Sequence, residues 1–170
     1  MNIEGKQIIL DIVGLGIVFH SPFFAEHIAE GTDFLTSNYS NEEQVQSHIQ
    51  MGSIVGFGTG SPGTFVLNFY SGYPANSKLL ECKFKLRLGL VCSGGVVVFR
   101  DLYELTDWNA ECAPDHILQL DDGFYHVTLC SNIPASGIVG DNQVIDLYLQ
   151  KLAEFPKLAK QGVPTLCMES

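Results

Sequence analysis

Apolar and polar positions alternate with a period of two along most of this chain. The clearest case is residues 82 to 88, where Cys82, Phe84, Leu86 and Leu88 fall on one face and Lys83, Lys85 and Arg87 on the other. That is the pattern of a half-buried strand with a basic solvent side. The runs 96–102, 117–120, 124–130 and 144–149 read the same way. Residues 7 to 19, QIILDIVGLGIVF, are rich in β-branched residues and carry Gly14 and Gly16, which predicts one long strand bent at the glycines or two short ones. SIVGFG leads through a Gly-Ser-Pro-Gly turn into TFVLNFY, an expected hairpin. Further turns are expected at Ser93-Gly94-Gly95 and at Asp121-Asp122-Gly123. Only one stretch has a clear helical pattern: Ser40 and Glu43 read as a capping box, Val45 and Ile49 share a face, and Gly52 stops the run, predicting a helix near 41–51. The fold class expected is mainly β, an antiparallel β-sandwich of about seven or eight strands with one short helix.

Length and composition fit that picture. At 170 residues and 46% apolar, residues 1–170 are expected to form a single domain, with an irregular tail from about 151. A chain of this size buries enough surface for a core without metal or disulfide staples. The opening apolar run Ile8, Ile9, Leu10 is broken at once by Asp11, too soon for a secretory signal or a membrane span. The five cysteines are odd in number and widely spaced, with no C-x-x-C pair. Reduced thiols and a cytoplasmic, bacterial setting are therefore expected.

No residue pattern points to a reaction centre. The glycine-rich run from Gly56 to Gly63 is followed by strand pattern rather than a helix, and it lacks a Lys-Ser/Thr pair, so it does not read as a phosphate loop. Ser61 has Thr59 two positions before it and misses the nucleophile-elbow pattern. The histidines at 20, 27, 48, 116 and 126 form no metal-binding motif. His126 and Cys130, four apart on a strand, would stand about 13 Å apart and cannot act as a couple. The expectation is of no enzyme, no cofactor and no bound metal.

Charge layout carries the functional signal. The formal net charge is −10, which argues against direct binding of nucleic acid, since that affinity comes from clustered cations. Between 101 and 150 there are nine acids and no Lys or Arg, whereas five of the nine basic residues crowd into 78–100. Asp101, Glu104, Asp107, Glu111, Asp115, Asp121 and Asp122 surround Trp108, the sole tryptophan. Such a block can simply be a solvated face that keeps a small protein soluble. It can equally be a partner surface with an aromatic anchor, steering a protein whose own groove is basic.

Four segments carry a resemblance to a known family: GIVFHSP, EEQVQSHIQMGSIVGFG, TFVLNFYSG and, most specifically, LQLDDGFYHVTLCSNIP. In order and pattern they resemble the competence protein J family, inhibitors of a bacterial DNA-entry nuclease, with a longer acidic 103–115 segment and tail. The resemblance implies a small cytoplasmic inhibitor or immunity-type protein that silences a nuclease or other toxic effector. On the charge argument Asp101, Glu104, Asp107, Trp108, Glu111, Asp115, Asp121 and Asp122 are the candidate partner-binding residues. The alternative is a small-molecule-binding sandwich or barrel, with the apolar runs 65–70 and 96–99 lining a cavity.

Overall fold

The stretch from 7 to 19 resolves into two strands, β1 (Gln7–Ile12) and β2 (Gly16–His20), and they belong to different sheets. Gly14 in the turn and Gly16 at the start of β2 are there for close approach. A Cβ on Gly14 would stand 2.6 Å from an Asp101 carboxylate oxygen, and one on Gly16 would stand 2.7 Å from the Phe57 carbonyl. The computed structural model describes residues 3–158 and 162–167.

Seven more strands follow: β3 (Ile54–Gly58), β4 (Gly63–Ser71), β5 (Phe84–Cys92), β6 (Val96–Asp101), β7 (Ile117–Gln119), β8 (Gly123–Ser131) and β9 (Gln143–Leu152). They form a five-stranded sheet in the order β1-β4-β9-β8-β5 and a four-stranded sheet in the order β3-β2-β6-β7. The architecture is therefore the expected mainly β sandwich. Every strand pair within the sheets is antiparallel except β4 with β9, which run parallel in the middle of the larger sheet. The turn chemistry at 59–62, 93–95 and 120–122 is real, but none of these turns closes a hairpin. Each carries the chain from one sheet to the other: β3 to β4, β5 to β6, and β7 to β8. β9 continues to Leu152, and the later residues return to β3, where the Gly58 amide donates to the Pro164 carbonyl at 2.9 Å and the Leu166 amide to the Gly58 carbonyl at 2.8 Å.

The interior is filled with side chains rather than hollow. Phe65, Leu67 and Phe69 of β4 point inward, and the Phe69 ring meets Phe99 of β6 edge-on at 5.2 Å; Phe99 in turn stacks on Phe19 of β2 at 5.4 Å. Such pairs contribute about 0.5–1.5 kcal/mol beyond the area they bury. The runs 65–70 and 96–99, expected as cavity walls under the small-molecule alternative, thus pack against each other across the two sheets.

Among the described residues three α-helices decorate the sandwich: α1 (Phe34–Asn38), α2 (Glu42–Met51) and α3 (Asn76–Glu81). α2 is the predicted helix, lying on β3 and β5 with Val45 and Ile49 buried and Gly52 in the left-handed conformation at its end. Its cap sits one residue later than expected. Asn41, not Ser40, accepts the Gln44 amide at 2.9 Å, while the Gln44 side chain reaches back to the Ser40 amide at 2.9 Å. Among the described residues no helix is long and apolar enough to cross a membrane, and no cluster of three or more His, Cys, Asp or Glu could hold a metal ion.

Candidate functional site

β6 ends in Arg100 and Asp101, and these two side chains organise the acidic segment. Phe99 faces the core, so alternation along β6 turns Arg100 to the outer face of the smaller sheet, where the acidic segment covers it and leaves it only 2% exposed. A guanidinium cannot shed its charge, so burial there requires partners for its five donors. One terminal nitrogen donates to Glu104 at 3.1 Å and to the carbonyls of Asn109 and Glu111 at 3.0 and 3.3 Å, and the other donates to the Ala110 carbonyl at 3.0 Å. The plane lies 4.5 Å from the centre of the Trp108 ring, a cation–π contact. Nε donates to Nε2 of His20 at 3.3 Å. His20 Nδ1 is 2.9 Å from the Ser21 carbonyl, which can only accept, so the proton of this imidazole sits on Nδ1 and Nε2 is free to accept. Burial holds His20 neutral, lowering its pKa to about 4, with the Arg100 charge acting in the same direction and the Ser21 hydrogen bond opposing.

Asp101 faces the opposite way. Its carboxylate accepts from the amides of Val13 at 2.8 Å, Gly14 at 3.2 Å and Tyr103 at 3.0 Å, tying the β1–β2 turn to the acidic segment. Glu104 closes a capping box by accepting the Asp101 amide at 3.1 Å, so residues 102–106 wind into a short 3₁₀ helix.

The eight candidate residues therefore divide. Asp101 and Trp108 are buried and do not stand on the surface, contrary to the exposed aromatic anchor expected from sequence. Trp108 is 2% exposed, held by Arg100 and His20, with its backbone amide donating to Thr32 at 3.0 Å. Glu104 is exposed but engaged with Arg100 and the Asp101 amide. Asp107, Glu111 and Asp115 are exposed, and none of these three has an ion pair among the described residues. Asp121 and Asp122 are exposed as well, but they follow β7 near Gly95, whose amide donates to Asp122 at 2.7 Å. That is the other end of β6, roughly 17 Å from Asp101 by strand rise. Asp115 on one side and Asp121 and Asp122 on the other thus flank β7, the edge strand of the smaller sheet, while Asp107 and Glu111 stand on the segment that covers Arg100, so the acids are spread out rather than clustered around a tryptophan. The sequence reading missed Arg100 and His20 as the organising pair. The signal present was an Arg ending a strand of otherwise apolar residues, VVVFR.

A sandwich of this layout has precedents. No family model matches the chain, and no curated protein matches it. Among solved structures, one described as "Crocagin biosynthetic gene J" is similar at a TM-score of 0.53 and 17% identity, over 84% of this chain and 95% of that one. Another is ComJ from Bacillus subtilis, described as the inhibitor of the DNA-degrading activity of NucA, with a TM-score of 0.49 and 10% identity over 89% of this chain and 99% of that one. The first likeness extends over nearly the whole of both chains, and at such identity it shows the fold; the second protein is of the kind that the sequence pattern resembles.

Proposed function

We propose that this protein is a non-enzymatic inhibitor of the immunity type, acting in the cytoplasm on a nuclease or other toxic effector whose active groove is basic. The observation that carries the reading is the display of Asp107, Glu111 and Asp115 on a segment whose nearest cation in sequence, Arg100, is buried and engaged with internal carbonyls. The segment is held in shape by that network, and its outward charge is not paired away. A pre-ordered face loses less freedom on binding than a floppy loop. A field of one sign raises association rates by about 10- to 1,000-fold. The resemblance of the sequence pattern to the competence protein J family points the same way.

The test is kinetic. A partner recovered at one-to-one ratio should bind with an on-rate that falls steeply as salt rises, because exposed charges are screened beyond about 8 Å at physiological ionic strength. Reversing Asp107 and Glu111 to lysine should lower the on-rate at least about tenfold, with stability within about 0.5 kcal/mol of the parent. Salt-independent association, or a double reversal that binds like the parent, refutes the reading.

A further inference from the structure

With Trp108 buried, the acidic face needs its apolar contact elsewhere, and the β1–β2 turn supplies one. Val13 and Leu15 at this turn are 77% and 61% exposed, and Tyr103 and Val163 beside it are 58% and 49% exposed. They do not stand on a flat surface. A cavity of about 300 Å³ opens here, walled by Leu15, Tyr39, Val45, Phe57, Leu102 and Val163, with Glu42 on its rim. The volume is at the lower end of ligand pockets, about 300–1,000 Å³.

Five separate chain segments build the cavity, around Leu15, Tyr39 to Val45, Gly56 to Gly58, Leu102 and Val163. The Asp101 carboxylate holds the Val13 and Gly14 amides and the Tyr103 amide together, and the Thr59 amide donates to the Leu15 carbonyl at 2.9 Å. The Gly58–Pro164 hydrogen bond described above sets the Val163 side, and the Gly162 amide donates to the Gln46 side chain. The floor comes from α2 and β3. Exposed apolar side chains around a concave, pre-ordered apolar site are the form of a hot-spot pocket. Among the described residues none that lines it is basic, Glu42 lines it, and Glu43 follows on α2. Leu102, at the opening of the acidic segment, is also at the edge of this pocket.

We infer that this pocket is the anchor site of the protein's partner, taking one aromatic or branched apolar side chain at the tip of a loop that carries Lys or Arg on both sides. The apolar walls select the anchor, and the acidic rim selects its neighbours. The inference rests on the proposed inhibitor function for the nature of the partner, but the site can be tested without one.

The probes are four: an amidated pentapeptide with phenylalanine between two pairs of arginines, the same peptide with alanine at the centre, the same with glutamates in place of arginines, and N-acetylphenylalaninamide. Methyl NMR titration of the full chain should show the first shifting Leu15, Val45, Leu102 and Val163, with the other three at least about tenfold weaker. Leu15→Ser with Val163→Ser should weaken the first peptide about tenfold while the remaining methyl spectrum keeps its dispersion. Val45→Ala is a second route to the same loss should the double variant change the turn. Shifts centred elsewhere, or an alanine or glutamate peptide binding as well as the first, overturn the inference. Equal binding of N-acetylphenylalaninamide also overturns it, leaving an apolar small-molecule pocket. The two proposals fail separately. Peptide binding here with salt-independent partner kinetics removes the inhibitor reading alone, whereas salt-dependent partner binding that ignores the Leu15 and Val163 changes removes the anchor alone.

Discussion

Replacing Arg100 by methionine tests the view that one buried cation holds the acidic segment in place. Methionine fills most of the same space, so the cavity contribution is small and the loss reads out the polar network. The deletion removes donors from His20, Glu104 and three backbone carbonyls, and the cation–π contact with Trp108. Hydrogen bonds to a charged group contribute about 1.5–3 kcal/mol each when their partners cannot be resolvated. Asn109, Ala110 and Glu111 are exposed residues whose carbonyls water can reach once the segment loosens. The bonds therefore do not sum, and the expected cost is about 3 kcal/mol, the lower end for breaking a buried charged network from one side. Against a total stability of about 5–15 kcal/mol that is a large loss. Trp108 is the sole tryptophan and is 2% exposed, so it reports the segment directly. Urea unfolding followed by circular dichroism should show the lower stability. Acrylamide should quench Trp108 in the variant well before the global transition, because the segment opens first. A variant within about 1 kcal/mol of the parent, with Trp108 still shielded, would mean that Arg100 does not organise this region.

The remaining expectations follow from the same interior. The pKa of His20 is depressed in the folded state from 6.5 to about 4, so the unfolded chain takes up its proton first as pH falls. The stability this provides is complete above about 6.5 and is lost down to about 4, a total of about 3 kcal/mol; burial lowers the pKa of His48 and His126 in the same direction. His20→Gln should flatten that slope in urea midpoints measured at about pH 7 and about pH 4.5, and an unchanged slope would contradict the assignment. Trp108→Ala should cost about 3–5 kcal/mol of stability, measured by denaturant unfolding, rather than acting first on the off-rate of a bound partner. Native alkylation at mildly alkaline pH, followed by mass spectrometry, should label the half-buried Cys112 and Cys167 before Cys82, Cys92 and Cys130, all at most 4% exposed; the Cys130 thiol is pushed up to about 12, chiefly by burial.

Local pattern was enough for the parts of this fold that are local. Alternation in 82–88 and 124–130 identified strands because a sheet with one buried face sorts side chains by parity, and Phe84, Leu86, Leu88, Val127 and Leu129 are indeed interior. Val45 and Ile49 located α2 because a helix buries one face every three to four residues. α3 was missed for the converse reason: it buries no residue, so it leaves no apolar stripe to read. Turn chemistry at 93–95 and 120–122 was legible as chain reversal, but a turn does not say whether the next strand joins the same sheet. That choice, like the parallel pairing of β4 with β9, depends on contacts between strands far apart in sequence. The candidate site divides along the same line. Net charge and the position of the acids are properties of the chain itself, whereas the burial of Trp108 and Asp101 is decided by Arg100, by a histidine eighty positions earlier, and by the amides of Val13 and Gly14. Which acids face water, and which apolar residues surround the pocket beside them, follows only when those distant segments meet, because the cost of burying a charge is met by partners that no local pattern encodes.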